Sequence, residues 1–434
     1  MVLGASNSRT MAQDVYRILS NEREALRCRF ELMNQAREEI LLSTFIIKDD
    51  LIGLASLQLL IDAAQRGVLT RLLVDDLGNK LPYDLLLFLE ENGVQVRIFN
   101  PTRLPEMRTV VDRMHGKMLI TENRQLIVGG RNLKEDYFSL DAHNNFLDRE
   151  VYVCGKGAVN SARTHFYTMW NYDQLTRRGR RDELTEKKRS FWYEAMKNAP
   201  DALCKRLFVV FDGNDDWSRG VPETSAPVLF LHDNFVKKVG KKYVKHNRKD
   251  QNCTDSLIAF VNNAQKSIDI ENAYFIPTKR WLKAFKAAHK RGVKIRVLTN
   301  SGYTNDVPIV QSVYQMKRKK YRKAGIELWE YQGQKMLHTK SMVIDSTFSV
   351  IGSYNLEIKS QNYNTEVAAC VSDNSIAKAN LNLLQNNLRH SLLVGSGQTV
   401  TEAPVLPPSK EQIKRKRKAD RFTWALAPIA DLVF

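Results

Sequence analysis

AREEILLSTFII (residues 36–47) and AQKSIDIENAYFIPT (264–278) decide the fold, because each opens the same succession of blocks. The first is followed by AAQRGVLTRLLVDD (63–76) and ENGVQVRIFN (91–100), the second by AAHKRGVKIRVLTNS (287–301) and KAGIELWEYQ (323–332). Gly67 answers Gly292, and Gly93 answers Gly325. Short runs such as Leu72 to Val74 and, but for Arg296, Ile295 to Leu298 are apolar, as in strands covered on both faces. The amphipathic stretches between them supply covering helices. Each half thus reads strand, helix, strand, helix, strand: an α/β chain with a mixed, largely parallel sheet and right-handed crossovers, written twice.

Outward from the repeat, the chain divides into a first half (1–175), a charged interhalf linker (176–250), a second half (251–395) and a basic and apolar tail (396–434). The stretch from Thr176 is expected to form a charged surface helix, and Phe211 to Pro227 a loop. With 434 residues the chain is long enough for two cores. A net charge of +18 predicts a field that attracts anions, whether nucleic acid, acidic lipid or a phosphorylated substrate. Part of it lies in the runs from Lys237 to Lys249 and from Lys410 to Arg421. Five scattered cysteines without a Cys-x-x-Cys pair suggest neither a disulfide framework nor a zinc site. No stretch reaches the roughly 18 apolar residues of a spanning helix, and no signal peptide is evident.

Each half closes on one polar signature. HGKMLITENRQLIVGGRN carries His115, Lys117, Glu122, Gly129, Gly130 and Asn132; HTKSMVIDSTFSVIGSYN carries His338, Lys340, Asp345, Gly352, Ser353 and Asn355. Residues two apart on a strand face the same way, so an imidazole and an ammonium share one pocket. The acidic residue follows five positions after the lysine, at a turn that returns the chain toward Gly-x-x-Asn. Glycine there permits close backbone approach, and the asparagine amide can bond a phosphoryl oxygen. One such match is weak evidence; two copies at the same place in a repeat are specific. DREVYVCG and NTEVAACV further align Glu150 with Glu366, each a carboxylate able to fix a histidine tautomer.

The duplicated His-x-Lys motifs with their Gly-Gly-Arg-Asn and Gly-Ser-x-Asn tails resemble the phospholipase D superfamily, and most resemble its bacterial cardiolipin synthase branch of the ClsC type. The likeness runs from about Arg37 to Leu388 and includes YFIPT at Tyr274, NDVPIV at Asn305 and NTE at Asn364. It implies two αβα sandwich halves of mixed, mostly parallel sheet, whose pseudo-twofold interface forms one active site. It further implies exchange through a covalent phosphohistidine without metal or cofactor, with His115 as nucleophile and His338 as acid and base. Lys117, Lys340, Asn132 and Asn355 would hold the phosphoryl oxygens. Glu122 departs from the family's usual aspartate.

The resemblance implies phosphatidyl transfer that makes cardiolipin from phosphatidylglycerol and a second phospholipid, phosphatidylethanolamine among the candidates. The tail, with its Lys and Arg cluster before Phe422, Trp424, Leu426, Ile429, Leu432 and Phe434, suggests peripheral attachment to an anionic membrane surface on the cytoplasmic side of the inner membrane. Packing of this tail on the core is the alternative. Two other functions share the charge: a hydrolase of phospholipid or nucleic acid, and an inactive basic membrane- or nucleic-acid-binding protein.

Overall fold

Parallel strands need crossovers, and the computed structural model shows two in each half. It describes residues 14–100, 112–172, 176–177, 183–207, 223–234, 252–395 and 407–426. Strands Glu39–Thr44, Leu69–Asp75 and Gln95–Phe99 lie parallel, linked by helices Leu51–Gln65 and Tyr83–Glu91. Their counterparts are strands Ser267–Asn272, Lys294–Asn300 and Ile326–Tyr331, linked by helices Lys279–Lys290 and Pro308–Arg322. Gly67, Gly93, Gly292 and Gly325 all have φ between +86° and +89°. Each sits just past a helix, in the left-handed conformation that ends it, which is why the glycines recur in register.

The α/β class and the two similar halves are as expected, but parallel pairing is confined to these three strands of each sheet. The first sheet continues antiparallel through Lys117–Thr121, Gln125–Gly129, Glu150–Cys154 and Asp14–Leu19. The second continues through Lys340–Ile344, Phe348–Gly352, Val367–Ser372 and Val228–His232 in the same way. The reason is local. Glu122, Asn123, Asp345 and Ser346 have φ between +50° and +57°, the two-residue turns that close hairpins, and a hairpin can only pair antiparallel.

The interhalf segment is more than a linker. Helices Glu186–Lys197 and Ala199–Leu207 bury Trp192, Met196, Leu203 and Leu207 in the first half's outer core. Strand Glu223–Ala226, expected as loop, extends the first sheet, while Val228–His232 edges the second. The basic run 237–249 lies outside the described residues.

Three apolar layers result. One lies beneath the first half's outer helices, and one beneath the second's. The third is shared: Val128 and Val151 pack with Ile351, Val367, Ala369 and Val371 between the sheets. Within this seam the buried Arg149 reaches across to Glu271 (3.0 Å) and Asn380 (2.7 Å). The described part of the tail, helix Lys410–Leu426, docks on helix Pro308–Arg322. Gln412 and Ala419 are buried there, and Ser312 donates to the carbonyl of Ala419 at 2.7 Å. Ile429, Leu432 and Phe434 lie outside the described residues. Among the described residues no helix is long and apolar enough to cross a membrane.

Candidate active site

Each histidine stands just ahead of its motif strand and hangs from the opposite half. The His115 amide donates to Thr365 O (3.0 Å), and the His338 amide to Leu147 O (2.8 Å). The preceding residue is fixed from its own half: Met114 N donates to Asp75 (2.9 Å), and Leu337 N to Asn300 (2.9 Å). Both histidines are buried, 9% and 5% exposed.

Their ring nitrogens are held across the seam as well. His115 Nδ1 lies 2.9 Å from Glu366, and His338 Nδ1 lies 2.6 Å from Asp148. A carboxylate on Nδ1 selects the tautomer that leaves Nε2 for a reacting group. Glu366 is itself fixed by the hydroxyls of Ser353 and Ser360. Aromatic edges complete the walls: Phe45 against His115, and Tyr137 and Phe146 against His338, at centroid distances of 5.0 to 5.2 Å.

The alignment of Glu150 with Glu366 is corrected by strand register. Gly129 faces Glu150, whereas Gly352 faces Ala368. The true counterpart of Glu366 is therefore Asp148, two residues earlier. Glu150 instead forms buried ion pairs with Arg29 and Arg131. Matching the letters Glu-Val in the two strings concealed Asp148; counting back from the glycine of each motif would have found it. Phe45, Tyr137 and the Asp75/Asn300 pair were also missed, since each belongs to the site only through tertiary contact.

Lys117 and Lys340 open their strands beside the histidines. Lys117 Nζ bonds the carbonyl of His115 at 2.5 Å, and Lys340 Nζ lies 2.9 Å from His338 Nδ1. Burial lowers both, Lys117 to about 7 with a further push from Lys340, and Lys340 to about 8 against the pull of the carboxylates around it. Burial, together with Lys117 and Lys340, lowers His115 to about 4, while Glu366 opposes. Burial and Lys340 also hold His338 below the usual imidazole range. Burial works to raise Asp148 and Glu366, but their histidine and lysine partners prevail and both stay low. Lys340 acts on His115, and Asp148 on Lys117, so the two sets of groups share one electrostatic pocket.

The asparagines differ. Asn132 is engaged, accepting from Ile46 N (2.9 Å) and donating to Tyr137 OH (2.7 Å). Asn355 Oδ1 is buried and has no partner among the described residues. Glu122 and Asp345 face away from the chemistry and tie down the chain entering the sheet. Glu122 accepts from the amides of Arg37 and Glu38; Asp345 accepts from those of Gln265, Lys266 and Ser267. The extra methylene of Glu122 is thus absorbed at the turn. The glycines are spatial: a Cβ on Gly129 would lie 2.6 Å from Glu150, one on Gly352 2.3 Å from Val367 O, and one on Gly130 2.3 Å from the Asp148 carboxylate.

Two similar halves with crossed histidine–carboxylate pairs define a two-lobed protein with a composite candidate site. The chain belongs to the family described as cardiolipin synthase, PLD-like domain, whose model matches it twice, over residues 30–170 and 257–387. Cardiolipin synthase C of Escherichia coli is 27% identical over 392 residues, 83% of this chain and 82% of that protein. An uncharacterized protein of Helicobacter pylori is 27% identical over 395 residues, 83% of this chain and 76% of that one. Among solved structures, phosphatidylserine synthase of Haemophilus influenzae shares the fold with a TM-score of 0.66 at 13% identity. The likeness covers 96% of this chain and 94% of that one.

Proposed function

We propose that the protein is a phosphatidyltransferase that makes cardiolipin from phosphatidylglycerol and a second phospholipid through a phosphohistidine. The observation that carries the reading is the crossed pairing: His115 with Glu366 and His338 with Asp148, beside Lys117 and Lys340. His115, uncharged at neutral pH, attacks phosphorus through Nε2, forming an N–P bond as the P–O bond to the departing alcohol breaks. His338 gives that alkoxide its proton; the negative phosphate restores the proton affinity that burial removes. In the second step His338 takes the proton of the incoming hydroxyl, whose oxygen displaces His115. Both lysines and Asn355 stabilise the charge that grows on the non-bridging oxygens.

Purified protein incubated in EDTA with labelled phosphatidylglycerol, with and without phosphatidylethanolamine, should yield labelled cardiolipin. Phosphatidic acid alone would make it a hydrolase, and DNA cleavage without lipid product would overturn both lipid readings. We further place the protein peripherally on anionic lipid. On the docked helix Lys414, Arg417, Lys418 and Arg421 are exposed beside the half-exposed Phe422. Replacing these four with glutamate should abolish sedimentation with phosphatidylglycerol vesicles at low salt; undiminished sedimentation would remove this helix from the contact.

A further inference from the structure

The halves match closely at the phosphoryl groups, so what they do not share is informative about the two alcohols exchanged. Two residues past the motif asparagine, the first half has Lys134 and the second has Glu357. Each precedes a short helix, and neither side chain caps it. Lys134 is turned onto Asp136. Glu357 is 8% exposed; its carboxylate takes no hydrogen bond from any described residue and is not sealed from solvent. A buried acceptor without a donor is costly unless a ligand or solvent supplies one.

The surroundings of Glu357 say which ligand. It sits within electrostatic reach of Lys340, Lys359, Glu366 and Asp306, and burial pushes it up to about 7. Asp306 accepts from Tyr274 OH at 2.7 Å, and the Tyr274 ring stands edge-on to His338 at 6.4 Å. Asn355 Oδ1, from the same loop, is a buried acceptor without a partner among the described residues. The second half therefore presents acceptors in excess of donors beside His338. Two ammonium groups offset two of the three carboxylates, leaving at most the charge of Glu357 itself, which its burial disfavours. A neutral group carrying several hydroxyl hydrogens fits this lining better than an ammonium does.

Resting on the transferase reading, we propose that Glu357, together with Asn355 Oδ1 and the Tyr274–Asp306 pair, forms the subsite that reads the hydroxyls of a glycerol headgroup served by His338. The test is competition between two alcohols within one reaction, so that a general loss of activity cancels. Short-chain phosphatidylglycerol in detergent micelles is the donor; deuterated glycerol competes at equal molarity with ethanol and, in a parallel mixture, with ethanolamine, and the ratio of the two phosphatidyl products is read by mass spectrometry.

Wild type should favour glycerol by at least about tenfold, since the wrong alcohol leaves the site's polar groups unpaired. Glu357→Ala should bring the ratio near one, and Glu357→Gln, which keeps an acceptor oxygen, should fall between. An unchanged ratio in Glu357→Ala overturns the subsite while leaving the transferase standing. So does a wild-type preference for ethanolamine over glycerol that Glu357→Ala abolishes, since that would mean the carboxylate reads an ammonium. Wild type that yields only phosphatidic acid overturns the transferase reading and this subsite with it.

Discussion

The two halves solve one geometric problem with different side chains. In the second, Glu366 reaches His115 while Ser353 donates to its carboxylate. In the first, Asp148 is one methylene shorter, and Gly130 stands where the second half has Ser353; a Cβ at Gly130 would overlap that carboxylate. Short acid with glycine, or long acid with serine, brings a carboxylate to the same nitrogen. What is matched between the halves is the position of an oxygen atom, and residue identity is free to vary around it.

The largest effect that tests this symmetry comes from the histidines. His115→Ala and His338→Ala should each lower turnover at least about 10³-fold, and the double variant little further, since the pair acts as a unit. His338→Ala quenched in SDS at mildly alkaline pH, where an N–P bond survives, should retain a labelled phosphoenzyme that His115→Ala lacks. Label trapped in the His115 variant instead would exchange the two roles.

Next come the carboxylates. Asp148→Asn and Glu366→Gln should each cost about 10²- to 10⁴-fold in kcat by releasing the histidine tautomer. Glu150→Gln should act differently, removing about 3 kcal/mol of stability in urea melts because Arg29 and Arg131 lose a buried partner, with turnover per folded molecule within a few-fold. Equal catalytic losses at Glu150 and Asp148 would undo the register correction.

The compensating pairs can be exchanged. Gly130→Ser alone should misplace Asp148 and cost about 100-fold, whereas Gly130→Ser with Asp148→Glu transplants the other half's solution and should recover much of it in the same assay. A double variant no better than the single would show that the two pairs are not equivalent.

The pH profile gives the smallest effect. His115 must be uncharged to attack, which holds above about 4, and the lysines must be charged, which fails as pH rises through about 7 for Lys117 and about 8 for Lys340. Thus kcat, read in the substrate complex where the bound phosphate keeps His338 protonated, should be flat near pH 6 and fall about tenfold per unit between pH 7 and 8, where Lys117 alone loses its proton. Lys117→Arg, which stays charged, should move that limb upward if it folds with the same melting temperature; an unmoved limb would assign the fall to another group.

Much of this was legible in the sequence, because repetition doubles every weak signal. The recurrent glycines marked the helix ends, and the paired motifs marked His115, Lys117, His338 and Lys340. The turns at Glu122 and Asp345 were legible too, but not how far the antiparallel pairing extends, because apolar runs such as Leu119–Ile120 and Val343–Ile344 read alike in parallel and antiparallel sheets. Strands Glu223–Ala226 and Val228–His232 escaped because edge strands of four and five residues around Pro227 lack a long pattern. Asp148 escaped because pairing depends on register, which similarity of letters does not encode.

Because each histidine's backbone amide and ring are both held by residues of the opposite lobe, neither lobe contains a working half-site. Separation would release Thr365 from His115 and Leu147 from His338 at once, and would strand Arg149 without Glu271. Descent from a self-associating ancestor of half the length would fit this arrangement: after fusion, a change on one side alters the reactivity of the histidine on the other. The two copies are therefore bound to evolve as partners, each the scaffold for its sibling's chemistry.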